Sequence, residues 1–525
     1  MSFPVRSSVC VLTLMAARVA FGFQSVDETI AAMSDAEKIA QLLFVGFDGR
    51  TMNRDLTNLV KARRVGGIVL YAENLQSPEQ VRRLTRAIRE EGAALPPFIA
   101  VDQEGGVVRR LGGDFPVVPS AMSIGATCSS DVAFRAGYAV GSGLSSLGFT
   151  MNFAPVLDLL SEPENTSLGT RAFGDDPHLA ASLGAAFIAG HEAAGVISVP
   201  KHFPGGGGAA DDPHHALPSV MIDAETLRRR ELVPFRHVIE EGVRALLSSH
   251  AAFPRITGSN VSATLSPVIM TNLLREELGF EGVAISDALQ MKALDQSRGA
   301  GPLALQAILS GSDMVLALGD VHAREAVFRY LQQAYADGRL PKARLEASLR
   351  RILALKRLSA AFAAVPPDGN SIGEEIARRA VTVVGRASLL PVATETRTLY
   401  IGPEGNLLRR LQPTHRVVLP RKPSLVQAQN ALVTTRAAAR EARVIIAAAT
   451  NREQYDLIRR LHTETPSVPF VFVNLGSPHR IIRGRSACTI LTYGDDAASQ
   501  NAALDVVRGE LQASGTLPIA LPDEP

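Results

Sequence analysis

From residue 27 onward, short apolar runs alternate with helical segments in an unbroken series. Strand-like runs at Leu42–Phe47 and Gly66–Tyr71 are followed by others ending near Asp102, Asp158, His202, His250, Asp287 and Leu318, eight in all. The runs are apolar almost throughout, so both faces of the sheet they build must be covered, as in a parallel sheet wrapped by helices. Helix starts punctuate the series: Ser34-Asp35-Ala36-Glu37 has the capping-box pattern, and Ser77-Pro78 sets proline at a first helical position. Eight such units predict an α/β fold whose N-terminal part, residues 27–360, is a (β/α)8 TIM-type barrel closed by the basic helical segment Lys342–Leu358.

A chain of 525 residues exceeds one ordinary core, and the pattern restarts after the barrel. Residues 361–371, with Pro366-Pro367-Asp368-Gly369, read as a linker. Over 372–525, strands are predicted at Thr398–Ile401, Arg416–Leu419, Val444–Ala448, Phe470–Leu475 and Thr489–Tyr493, with helices at Gln427–Ala442 and Ala497–Leu511. This is a smaller open α/β sandwich domain.

Composition excludes several classes. Net charge is +2 with both signs interspersed, so there is no basic stripe for nucleic acid. Three cysteines, Cys10, Cys128 and Cys488, make neither a disulfide framework nor a metal cluster. The run Gly205–Gly208 lacks the Gly-Lys-Ser/Thr pattern and the dinucleotide spacing, so no phosphate loop, and no metal or organic cofactor, is implied. Arg6, the apolar stretch Val9–Ala17 and Ala20-x-Gly22 predict a signal peptide over residues 1–22, with export to the periplasm or the exterior. Read instead as a mere extension, the segment leaves the chain in the cytoplasm. No later apolar run is long and uncharged enough to span a bilayer.

Polar residues fall where barrel chemistry happens. Asp102-Gln103-Glu104, Asn152, Asp158, Lys201-His202, His250 and Asp287 all sit at or just past the C-terminal end of a strand. The stretch Lys201–Pro218 packs a Lys-His pair, four glycines and Asp212-x-His214 into one loop, and Asp287 ends the run Gly282–Ser286. A movable Asp/His pair and a separate rigid carboxylate are the proton shuttle and the nucleophile of a retaining glycosidase. The glycines supply the freedom such a loop needs to close and open. The plainer reading of Asp287 is a helix N-cap, and of Asp212 and His214 a pair of solvated loop residues. His250 either lines the pocket or satisfies a hydrogen bond at the barrel top.

Taken in order, these motifs resemble glycoside hydrolase family 3. The resemblance rests on Glu37–Leu43, Asp102-Gln103-Glu104-Gly105-Gly106, Asn152–Asp158, Arg171–Pro177, Lys201-His202-Phe203-Pro204-Gly205, Leu274–Phe280 and Ser286-Asp287, with Gly515–Ile519 near the C-terminus. Asp212-x-His214-x-x-Leu217-Pro218 is similar to the β-N-acetylglucosaminidase branch. The resemblance implies Asp287 as nucleophile, His214 as general acid/base and Asp212 as the residue that orients it. It further implies that Asp102, Arg171, Lys201 and His202 build the pocket for a terminal sugar. Buried Lys201 then needs a carboxylate or polar ligand nearby. Arg171 is also expected to pair with Asp175 or Asp176, Asp158 and Asn152 to frame the pocket, and Asp313 to order the last strand.

The expected activity is exo-acting, retaining hydrolysis of terminal β-linked N-acetylglucosamine, from peptidoglycan fragments, on a small carbohydrate substrate. Tryptophan is absent, so any sugar stacking falls to Phe, Tyr or a flat apolar patch. Two alternatives stand: a β-glucosidase of the same family, and a catalytically silent carbohydrate-binding protein. Phosphorolysis is a further possibility, since deprotonated His214 carries no charge to repel phosphate. The chain departs from the family at Gly206 and Gly208, where His and an acid are usual, at Pro213 for Ser, and at Val107 for Arg.

Overall fold

The computed structural model describes residues 25–93, 95–113, 115–209, 216–362, 365–366 and 372–521. The expected signal peptide (1–22), Asp212, Pro213 and His214 lie outside the described residues, as does most of the linker.

Eight parallel strands form the first sheet: β1 (Leu43–Val45), β2 (Gly67–Val69), β3 (Phe98–Val101), β4 (Met151–Asn152), β5 (Ile197–Ser198), β6 (Ala245–Leu247), β7 (Val283–Ala288) and β8 (Met314–Leu316). Their order is β5-β4-β3-β2-β1-β8-β7-β6. The remaining seam closes just beyond β5. There the Phe203 N–H donates to the Leu247 carbonyl at 2.9 Å, and the Leu247 N–H donates to the Pro200 carbonyl at 3.0 Å. The fold is therefore the expected barrel. Most strands are shorter than the apolar runs, because the flanking residues are buried and extended but bond one neighbour at a time; the Leu70 N–H, for example, donates to the Ala100 carbonyl at 2.9 Å.

Large and small residues share the barrel interior. The Phe44 ring stands 6.1 Å from Phe98 and 5.6 Å from Phe153, centroid to centroid. A Cβ on Gly67 would lie 2.0 Å from the Phe44 ring, so only glycine lets β2 pass it. The expected helix starts are present: Ser34 and Glu37 cap each other's backbone, and Ser77 Oγ accepts from the Gln80 N–H ahead of Pro78.

The second sheet has six strands: β9 (Thr382–Gly385), β10 (Thr398–Gly402), β11 (His415–Val418), β12 (Val444–Ala449), β13 (Phe470–Asn474) and β14 (Ala487–Leu491). Their order is β11-β10-β12-β13-β14-β9, with β9 antiparallel on β14. Sequence reading finds five of these and misses β9. That strand is four residues long and only partly buried, and the helix Ile372–Ala380 ends just before it, so neither periodicity nor turn residues mark it.

The same helix joins the two cores. Ile372 and Ile376 belong to the barrel's core, Ala377 to that of the second domain. The C-terminal segment is stapled back to the barrel: the Asp175 N–H donates to the Pro518 carbonyl at 3.1 Å, and the Ala520 N–H to Asp175 Oδ2 at 2.6 Å. Among the described residues no helix is long and apolar enough to cross a membrane.

Candidate active site

Asp287 stands near the end of β7, on the barrel's C-terminal face. Its Oδ1 accepts from the Ala288 N–H at 2.7 Å. Ser286 Oγ accepts from the Leu316 N–H at 3.1 Å and pins this strand end to β8. Burial works to raise the Asp287 pKa. His250, His202, the Ala288 N–H and Lys201 outweigh it, so the carboxyl is held below its usual range and is ionised at neutral pH.

A four-charge cluster fills the neighbouring strand ends. Lys201 Nζ lies 2.6 Å from Asp102 Oδ1 and 2.7 Å from Glu104 Oε1. Arg171 grips Glu104 with two parallel bonds, Nε to Oε2 and Nη2 to Oε1, both 2.8 Å. Burial opposes charge on Glu104, yet Arg171 and Lys201 hold its carboxyl far below the ordinary range. Burial likewise opposes the Lys201 ammonium, but Asp102 and Glu104 outweigh it and the pKa ends above the usual lysine value. Lys201 spends two of its three N–H donors on these carboxylates.

Arg171 does not pair with Asp175 or Asp176, contrary to expectation. Asp176 Oδ1 caps the helix Pro177–Ala193 by accepting from the His178 and Leu179 N–H groups at 2.8 Å each. Asp175 is taken up by the C-terminal segment. Both carboxylates are thus engaged elsewhere, and the guanidinium turns inward to Glu104.

His202 donates from Nδ1 to Asp158 Oδ2 at 2.6 Å. Asp158 Oδ1 also accepts from the Gly206 N–H at 2.7 Å, which ties the glycine loop to the pocket. Two of the four glycines have static reasons. Gly205 holds φ at 116°, and a Cβ on Gly207 would lie 1.6 Å from the Leu159 carbonyl oxygen. Gly206 needs neither: an added Cβ would make ordinary contacts at 3.4 and 4.0 Å with Ser249 Oγ and Asp158 Oδ1.

His250 is fully engaged with the fold. Its Nε2 donates to the Ala288 carbonyl at 3.0 Å, and its Nδ1 lies 3.0 Å from Thr264 Oγ1. The barrel-top hydrogen bond is thus present, and both ring nitrogens have partners within the fold. Burial lowers its pKa against the pull of Asp287.

The structure therefore brings Asp102, Arg171, Lys201, His202, His250 and Asp287 together, while Asp212 and His214 lie outside the described residues. Asn152 bonds the Gln103 backbone and Asp158 bonds His202 and Gly206, while Asp313 orders the barrel bottom, accepting from Arg275 at 2.6 Å and Ser348 at 2.7 Å. Two residues of the site were given no role from the sequence. Glu104 carries more of the cluster than Asp102; it shares parity with Asp102 beyond β3, a signal that was present. Tyr71 is the other. Val69 pairs with Ala100, which puts Tyr71 level with Asp102. Burial, Asp102 and Asp287 all push its phenol pKa up, so it stays a donor. At the rim, Val107 is 69% exposed.

Comparison with known proteins agrees with this geometry. Residues 35–355 match the model of the glycosyl hydrolase family 3 N-terminal domain. The chain is 32% identical over 385 residues to a protein named β-hexosaminidase A from Pseudoalteromonas piscicida, covering 67% of this chain but only 64% of that relative. It is 37% identical over 299 residues to a β-hexosaminidase from Alkalilimnicola ehrlichii, covering 55% of this chain and 84% of the relative. A solved family 3 β-N-acetylglucosaminidase from Paenibacillus sp. str. FPU-7 superimposes with a TM-score of 0.86 at 30% identity, covering 93% of this chain and 99% of that one. With the family model spanning the whole barrel and its charged face, this chain belongs to glycoside hydrolase family 3.

Proposed function

We propose that the protein is an exo-acting, retaining β-N-acetylhexosaminidase, exported to the periplasm or the exterior, that removes terminal β-linked N-acetylglucosamine from peptidoglycan fragments. The observation that carries this reading is Asp287, a carboxylate kept ionised against burial at the end of β7, beside two imidazoles and the Lys201 ammonium. The names of the relatives, β-hexosaminidase and β-N-acetylglucosaminidase, support the choice of sugar.

In the first step Asp287 attacks the anomeric carbon while the bond to the glycosidic oxygen breaks. His214, charged at that moment, gives its proton to the leaving oxygen. In the second step water attacks the same carbon, its proton passes to His214, and Asp287 leaves as a carboxylate. Asp212 steadies the imidazolium. Asp102 accepts from a sugar hydroxyl and Lys201 donates its third N–H. His202, fixed through Asp158, presents Nε2, and Arg171 holds Glu104 in place. His250 acts on the sugar only through the charge of Asp287.

Release of 4-nitrophenol from its β-N-acetylglucosaminide and β-glucoside tests the reading. Preference for the first, lost in Asp287→Ala and in His214→Ala, is expected. Preference for the glucoside with an indifferent His214→Ala moves the protein to the β-glucosidase reading. Sugar binding without turnover makes it a silent binder. A glycosyl phosphate formed in phosphate buffer replaces hydrolysis by phosphorolysis.

A further inference from the structure

Behind the pocket lies a buried imidazole that none of these steps uses. Asn152, at the end of β4, accepts at Oδ1 from the Gln103 N–H and donates from Nδ2 to the Gln103 carbonyl, both at 2.9 Å. Gln103 Oε1 in turn accepts from the Arg110 and Leu111 N–H groups at 2.8 and 3.1 Å. This clamp grips the segment that carries Asp102 and Glu104. The two opposed bonds to Gln103 also decide which end of the Asn152 amide is nitrogen. The second hydrogen of Nδ2 then meets His191 Nε2 at 2.9 Å.

An amide N–H only donates, so His191 Nε2 must accept. The ring is therefore neutral, with its proton on Nδ1. Nδ1 makes no hydrogen bond of good geometry and has only the Phe187 carbonyl, one helical turn back, to face. The imidazole is buried and packs on the Phe187 ring, centroids 4.7 Å apart.

We infer that His191 is a positioning residue for the sugar pocket: by accepting from Asn152, its neutral ring holds that amide in the orientation that clamps Gln103 and sets Asp102 and Glu104 against Lys201. The inference rests on the proposed sugar-binding role of that cluster. An apolar side chain would fill the same space but leave the second Asn152 hydrogen unpaired and the amide held by its two Gln103 bonds alone.

Protonation would have the same effect. A second proton, on Nε2, would oppose the Asn152 hydrogen, and turning the amide to present its oxygen would break both bonds to Gln103. Burial holds the His191 pKa down at about 4. No charged group from its own helix, from the helices Ser130–Ser146 and Leu232–Glu240, or from β4 and β5 contributes to its electrostatics among the described residues. Its neighbour Glu192 turns away to Arg244 at 3.3 Å.

The test compares His191→Gln, which keeps a non-titrating acceptor near the Nε2 position, with His191→Leu, which keeps bulk alone. Kinetics use 4-nitrophenyl β-N-acetylglucosaminide with the full chain. His191→Leu is expected to raise KM about tenfold with kcat within about threefold, the cost of one unpaired buried donor. His191→Gln is expected to keep KM within about threefold of wild type and to shift the acid limb of kcat/KM to lower pH. An unchanged KM in His191→Leu, or an equal loss in His191→Gln, overturns the inference. The 15N spectrum of the wild-type imidazole decides independently, even should a variant fail to fold: a proton on Nε2 at neutral pH ends the idea. If wild type turns over no β-N-acetylglucosaminide, the proposed function fails, while the spectrum still judges the tautomer.

Discussion

Lys201 and Glu104 meet at 2.7 Å with only 4% and 5% of their side chains exposed, although 97 positions of chain could have carried either to solvent. The pair is stable there because Arg171 and Asp102 complete it. Two cations face two carboxylates, and no charge in the cluster is left alone. The strand-end cluster is thus a charge lattice whose members neutralise one another within the protein.

Removing one member should expose this. Glu104→Gln leaves Lys201 and Arg171 short of a buried countercharge and is expected to cost about 3–5 kcal/mol of stability. Urea unfolding would measure it. A loss under about 1 kcal/mol would mean that water reaches the cluster.

The Asp158–His202 pair makes a second expectation. Asp158→Asn and His202→Ala should each lower kcat/KM, and the double variant should lose little more than either alone, since both act through one hydrogen bond. Additive losses would separate the two residues.

The glycine loop can be dissected residue by residue. Gly207→Ala drives a Cβ into the Leu159 carbonyl and should destabilise by about 2 kcal/mol or more, whereas Gly206→Ala has room and should stay within about 1 kcal/mol. If loop freedom limits turnover, Gly206→Ala should still lower kcat. An unchanged kcat would remove flexibility as the reason for this glycine.

Far from the site, Lys356 is buried beneath the barrel, its Nζ donating to the Pro96 carbonyl at 2.9 Å and lying 5.3 Å from the Phe98 ring. Burial, then Arg64, bring its pKa from 10.5 down to about 7. Between those two values the unfolded chain binds more protons than the folded one, so this group makes stability rise with pH across that window. Below about pH 7 its full cost is present. Lys356→Met should flatten the slope and raise the urea midpoint most at about pH 7 and below. An unchanged pH dependence would show that the ammonium keeps its water.

Much of the architecture was legible beforehand for a definite reason. Parallel strands covered on both faces become continuous apolar runs, and polar residues at their ends stand out; hence eight strands, and Asp102, His202 and Asp287 at their tips, were read correctly from the chain. Caps at Ser34 and Ser77 were equally local. The partners were not. Glu104 with Arg171, His202 with Asp158, Asn152 with His191 and Asp175 with Ala520 lie 67, 44, 39 and 345 positions apart. No local spacing encodes such pairings. They are decided when strands and loops distant in sequence become neighbours and each buried polar atom must find its complement. The sequence by itself determined the barrel and which polar residues stand at its strand ends. Only the tertiary structure decided that Arg171 holds Glu104 in place of an acid on its own loop, that His250 bonds the fold, and that a short antiparallel strand completes the second sheet.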